Sequence, residues 1–186
     1  MRVKVYLARP NLLDRMTACH QQHKGFVYSA MMSKRPLIIL RIWMLCTRVF
    51  SGPIVLIYWI AHRRMGADPK RFSDRLGRGS AGLGDPVLWF HAASLGEVMQ
   101  IAPLVGHLAQ TEQTKILVTT TTATSASWVA REMPLVAHRF APLDTPSAVA
   151  GFLDGWSISA AIFVEGDLWP RLLNGLKPRD VPQILL

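Results

Sequence analysis

From Val87 onward, short apolar runs alternate with stretches whose apolar positions recur every three or four residues. Val87 to Phe90 reads as a strand, and Val98, Ile101, Ala102, Val105 and Leu108 follow it at helical spacing. The alternation predicts strand 87–91 and helix 96–110, then strand 115–120 and helix 124–132. A short strand near 136–141 and helix 146–154 come next, followed by strand 159–164, helix 168–176 and a fifth strand opening at Val181. Strands apolar on both faces, each followed by a helix, imply a parallel sheet covered on both sides. The expectation is a Rossmann-like α/β domain over 86–186. A chain that stops inside a buried strand at Leu186 is expected to be truncated.

Upstream the pattern changes. Residues 37–61 are almost continuously apolar and long enough to span a bilayer. Arg41 and Arg48 interrupt the run on one helical face, and Gly52-Pro53 predicts a kink. Residues 34–66 therefore read as a membrane-anchor helix. It either spans or lies in the interface, with Trp43, Tyr58 and Trp59 as interfacial anchors. No small-residue cleavage site follows, which argues against a signal peptide. Residues 67–85 form a basic connector with a short helix ending at Gly77. Residues 1–33 show no sustained period, and Met31-Met32 mark a possible alternative start.

Charge sharpens that division. The net charge is +9, yet residues 79–186 hold six Lys/Arg against nine Asp/Glu, while residues 34–78 hold ten against two. Basicity concentrated around the apolar segment points to anionic lipid head groups, whereas a nucleic-acid footprint would sit on the folded domain. Cys19 and Cys46 lie far apart with no metal-ligand spacing, which fits a reducing compartment.

Polar residues gather after the strands. His91, Ser94, Gly96 and Glu97 follow the first, and the hydroxyl-rich run from Thr119 through Thr121 and Thr122 to Ser125 follows the second. Pro142-Leu-Asp-Thr-Pro146 follows the third, and Glu165-Gly-Asp167-Leu-Trp-Pro170 the fourth. In a parallel sheet these turns converge at one edge, where open α/β sheets bind ligands. Glu97 falls in a first helical turn, where the helix dipole favours a carboxylate. It reads either as a proton acceptor or as a capping group. No dinucleotide, P-loop or hydrolase-elbow fingerprint is present.

The stretch His91-Ala-Ala-Ser-Leu-Gly-Glu97, with Ala102-Pro-Leu-Val105 on the following helix, resembles the first motif of the Kdo transferases. These enzymes pass 3-deoxy-D-manno-octulosonic acid to lipid A precursors. Val118 to Ser125, Ala141 to Pro146 and Glu165 to Pro170 are similar to three further motifs in the same order. Arg71-Phe-Ser-Asp-Arg-Leu-Gly77 resembles the segment ahead of the first strand. The resemblance covers roughly residues 37–186. It implies the N-terminal, acceptor-side half of an inverting GT-B glycosyltransferase that uses CMP-Kdo as donor, with no cofactor and no metal.

On that resemblance Glu97 is the general base and Glu165 a second acidic catalytic position that helps stabilise the transition state, with Ser94, Gly96, Thr121, Thr122 and Asp167 touching substrate. Asp167 stands where the family usually carries Glu. The implied partners are the lipid A precursor, CMP-Kdo held by a C-terminal half, and the cytoplasmic face of the inner membrane; nucleic acid is not among them. Without a nucleotide-binding half, residues 1–186 alone are expected not to transfer sugar. The alternatives are a non-catalytic membrane-associated binding module and a GT-B transferase for another sugar.

Overall fold

A computed structural model describes residues 34–79, 84–111, 115–165 and 169–186, so the readings of 1–33 and of Asp167 fall outside the described residues. By internal contacts the chain divides into residues 1–38 and 39–186, and the whole of the sheet lies in the second unit.

Two helices precede the sheet, α1 (Lys34–Val49) and α2 (Ser51–Arg64). A 3-10 turn at Pro69–Arg71 and the one-turn α3 (Phe72–Arg75) lead into it. The alternating part runs β1 (Val87–His91), α4 (Leu95–Thr111), β2 (Lys115–Thr120), α5 (Ala123–Glu132), β3 (Ala137–Phe140), α6 (Pro146–Gly155), β4 (Ile158–Phe163), α7 (Pro170–Leu176) and β5 (Gln183–Leu185). These positions follow the sequence pattern closely, because each strand is bounded by a turn signal and each helix by a period of three and four.

All four strand pairings are parallel, and the spatial order is β3-β2-β1-β4-β5. The fold is a Rossmann-like α/β sheet. Its winding reverses at β1, and the carboxyl ends of β1 and β4 are where sheets of this kind bind ligands. β1 is buried at every position, and Trp89 packs with Phe152 and Phe163 under α6 and α7. Each buried side chain of that size contributes about 1.5–3 kcal/mol of transfer free energy.

The expected kink at Gly52-Pro53 sits elsewhere. The two helices are bent by 75° across Phe50, and Pro53 lies inside the first turn of α2. Proline has no N–H and its ring clashes with the carbonyl four residues back. Breaking the helix at Phe50 places Pro53 where no N–H is needed. Among the described residues no single helix is long and apolar enough to cross a membrane; the bent pair passes that test only jointly.

Val55 and Tyr58 of α2 pack on Phe72, Leu143 and Ala148, while Ile39, Ile42, Leu45, Val49, Leu56 and Ile57 stay exposed. α3 is tied in by Gly77, whose φ is +72° and whose Cβ, if present, would lie 2.1 Å from the Ala148 carbonyl oxygen. Only glycine permits both that conformation and that approach.

Candidate active site

The β1 turn begins at His91, which is buried and has Nδ1 2.9 Å from Thr119 Oγ1. Thr119 Oγ1 also accepts the Trp89 indole N–H at 2.8 Å, so β1 and β2 are cross-braced beneath the edge. The chain then turns at Ala92-Ala93 and enters α4. Ser94 Oγ accepts the Glu97 N–H at 3.3 Å. In return the Glu97 carboxylate accepts the Ser94 hydroxyl at 2.7 Å on Oε1 and the Ala93 N–H at 2.7 Å on Oε2. This reciprocal pattern satisfies donors left over at a helix start. It also fixes both carboxylate oxygens of a half-buried group just past the carboxyl end of β1. Gly96 is exposed, and a Cβ there would meet only Ser94 Oγ at 3.9 Å. The protein's own packing does not require glycine at that position.

Glu165 closes the other side. It follows β4, is exposed, and holds φ at +56°, a left-handed conformation that a non-glycine residue occupies at a cost. Its Oε1 lies 3.5 Å from Nε2 of Gln100, which stands one helical turn beyond Glu97 on α4. Two carboxylates therefore flank the switch point, one rigidly bonded and one on a strained turn. Among the described residues no three His, Cys, Asp or Glu side chains come together as a metal ion would require.

A family model for 3-deoxy-D-manno-octulosonic-acid transferase (kdotransferase) matches residues 70–186. The chain belongs to the Kdo transferase family. It is 39% identical over 120 residues to a probable mitochondrial 3-deoxy-D-manno-octulosonic acid transferase of Arabidopsis thaliana, covering 62% of this chain and 27% of that protein. It is 31% identical over 156 residues to the Bordetella pertussis 3-deoxy-D-manno-octulosonic acid transferase, covering 78% and 36%. The Rickettsia typhi protein of the same name is 36% identical over 90 residues, covering 47% and 20%. The match thus spans between 20% and 36% of these relatives' own lengths.

The hydroxyl turn makes structural bonds of its own. Thr121 donates through both its N–H (3.1 Å) and its hydroxyl (2.8 Å) to the Ala93 carbonyl, locking the β2 turn to the β1 turn. Thr122 caps α5, its Oγ1 accepting the Ser125 N–H at 3.1 Å.

Three features escaped the sequence reading. Asp144 is buried and accepts the Trp43 indole N–H (2.5 Å), the Arg171 N–H (3.1 Å) and the Leu172 N–H (2.9 Å), joining α1 to the start of α7. Arg171 continues the link by donating to Thr47 Oγ1 at 2.7 Å. Arg75, 2% exposed, lies over the Phe140 ring and donates to His62 Nδ1 (3.1 Å) and to the Thr121 carbonyl (2.6 Å). Its burial makes its proton easier to lose than in an ordinary guanidinium, while Tyr58 and Asp74 oppose that shift. The signal for Arg75 and Asp144 was their place inside family-like motifs, and for Arg171 its place just after the last one.

Proposed function

We propose that this chain is the acceptor-side half of an inverting transferase that moves Kdo from CMP-Kdo to a sugar hydroxyl of a lipid A precursor. The observation that carries the reading is Glu97, held by two hydrogen bonds at a helix start beside the switch point, with Glu165 after the neighbouring strand β4 touching Gln100 of the same helix. In this reaction the acceptor oxygen bonds to the anomeric carbon as the bond from that carbon to the CMP phosphate oxygen breaks. CMP departs with the electron pair, and Glu97 takes the proton of the attacking hydroxyl. Glu165 stands on the side where positive charge develops on the sugar ring. Ser94 orients Glu97, exposed Gly96 leaves room for the acceptor, and Thr121 and Thr122 shape the neighbouring wall. On the same reading Asp167 is a further substrate contact. CMP-Kdo is held by a second domain, and the 186-residue chain alone does not turn over.

The test is Glu97→Gln in an enzyme completed with a C-terminal half. A general base should cost about 10²- to 10⁴-fold in kcat with acceptor KM nearly unchanged. A residue serving only as the reciprocal cap of α4 should cost about 1 kcal/mol of stability and leave kcat within a few-fold, which would favour a non-catalytic binding module.

The apolar helices supply the location. Ile39, Ile42, Leu45, Val49, Leu56 and Ile57 are 55–69% exposed, with Arg41, Arg48, Arg63 and Arg64 also at the surface. The inner faces of the pair are occupied by Asp144, Leu143 and Phe72. A helix packed on the protein along one side and apolar on the other fits the plane of a membrane interface better than its interior. We assign it to the cytoplasmic face of the inner membrane. The chain should float with anionic vesicles and stay behind once Ile42 and Leu45 are both changed to Glu; equal flotation of the variant would remove the assignment.

A further inference from the structure

The two donors that hold the Glu97 carboxylate come from consecutive residues, Ala93 through its N–H and Ser94 through its hydroxyl. One peptide group joins those residues, and its carbonyl is that of Ala93. Thr121 grips this carbonyl twice, with its N–H at 3.1 Å and its hydroxyl at 2.8 Å. Thr121 is itself held from behind, because its own carbonyl accepts Arg75 Nη2 at 2.6 Å. Arg75 Nε in turn donates to His62 Nδ1 at 3.1 Å.

The bonds on either side are of a plainer kind. The Ala92 N–H donates to the Thr119 carbonyl at 3.0 Å, and the His91 carbonyl accepts the Val164 N–H at 2.9 Å. Those are backbone pairs that continue the strand ladders past their ends. The Thr121 hydroxyl does something else, since the carbonyl it reaches is already met by the Thr121 N–H. A carbonyl oxygen has two lone pairs and accepts both donors. The second bond satisfies no orphan; it fixes the direction of the peptide.

We propose that Thr121 is a positioning residue for Glu97: its hydroxyl orients the Ala93–Ser94 peptide, whose two residues supply the donors that aim the carboxylate. This role rests on Glu97 being the base and deepens that reading. A base must hold an oxygen within hydrogen-bond reach of the attacking hydroxyl, and small misplacements are costly. A glutamate side chain has several rotatable bonds, and here two donors select one arrangement of them. When the peptide loosens, both donors move together and the carboxylate leaves that arrangement. Thr121 thus acts on the acceptor through Glu97, with its hydroxyl proton engaged inside the protein.

The experiment places Thr121→Val and Glu97→Gln in the completed enzyme, singly and together. Thr121→Val keeps the side-chain shape and the N–H bond and loses only the hydroxyl. It should lower kcat about 10- to 10²-fold with acceptor KM within about twofold. In the Glu97→Gln background the same change should cost less than about twofold, because the base it positions is gone. Thr121→Ser restores the hydroxyl and should recover most of kcat. Equal losses in the two backgrounds, or a loss confined to KM, would mean that Thr121 acts on substrate or on the fold and would overturn the proposal.

A second measurement needs no turnover. In the 186-residue chain the Ala93 amide donates to Glu97, so its hydrogen exchange reports that bond. Thr121→Val should speed exchange at Ala93 about tenfold and leave the β1 amide of Trp89 unchanged, while Thr121→Ser should match wild type. Unaltered exchange at Ala93 in Thr121→Val would overturn the positioning role. If Thr121→Val does not fold, Thr121→Ala takes its place in both measurements. Faster exchange at Ala93 combined with full kcat in Glu97→Gln would sink the base, and the transferase reading with it, while leaving the hold of Thr121 on Glu97 intact.

Discussion

On the β1–β4 side of the carboxyl edge two acids lie near the surface; on the β2–β3 side a cluster of bases lies inside the protein. Glu97 is half-buried and Glu165 exposed, and they follow β1 and β4, the neighbouring strands at which the winding reverses. Arg75 and His138 are buried, and Arg71 and Arg139 are half-buried beside them. The acids are held by hydroxyl, amide and peptide donors, so they keep no permanent cation partner among the described residues and remain available to a ligand. The bases form an internal brace, with Asp74 joining Arg71 to Arg139 and accepting the Phe140 N–H at 3.2 Å. One half of the edge leaves its acids without a cation partner among the described residues, and the other holds α3 against β3. Arg75 lies beside this brace over the Phe140 ring, where burial lowers its pKa and Tyr58 and Asp74 raise it.

The brace has a measurable weakness in acid. His138 Nδ1 accepts from Arg71 at 2.8 Å, so Nε2 carries the hydrogen and donates to Thr120 Oγ1 at 3.0 Å. Burial first, and then Arg71 and Arg139, push its pKa from 6.5 down to about 3. The native state thus refuses a proton that the unfolded chain accepts. His138 is neutral in both states well above pH 6.5, and its penalty grows as pH falls from about 6.5 towards about 3. The slope from this one residue is at most about 1.4 kcal/mol per pH unit. In urea unfolding at successive pH values, His138→Gln should be less stable than wild type at about pH 7.5 by about 1–2 kcal/mol. It should lose correspondingly less as the pH is lowered to about 4. Parallel stability–pH curves would show that the brace is not what makes this half acid-sensitive.

The sheet was readable from the sequence because its information is local. Apolar runs such as 115–120 and periodic stretches such as Val98 to Leu108 carry their own element type, and all four turns had to converge once the strands were parallel. Glu97 was readable for the same reason, since Ser94 and Glu97 lie one helical turn apart. Arg75 was not. In sequence it belongs to a basic stretch that looks solvated, and its burial exists only after α2, β3 and the glycine turn at Gly77 close around it. Asp144 was seen as one more acid at the edge. Its bonds to Trp43, 101 positions away, and to the start of α7 are long-range facts that no spacing encodes. The helix bend was misplaced by two or three residues because proline fixes where a helix can begin as firmly as where it must break.

The finest distinction lies between the two acids themselves. Glu97 is relaxed and bonded, whereas Glu165 sits at φ +56° with one long contact to Gln100. A left-handed glutamate costs about 1–2 kcal/mol, and glycine at the same position removes that cost while adding about 0.5–1 kcal/mol of unfolded-state entropy. Glu165→Gly should therefore raise stability slightly, by roughly 0.5 kcal/mol. Glu165→Gln keeps the backbone cost and should leave stability unchanged. If the strain serves to present a carboxylate at this edge of the sheet, both variants should lower kcat in the completed enzyme, so that the more stable protein is also a poorer catalyst. Urea midpoints and steady-state rates on the pair decide it. A Glu165→Gly enzyme that is both more stable and fully active would mean that the β4 turn is strained for no catalytic purpose. The acid half of the edge would then reduce to Glu97 alone.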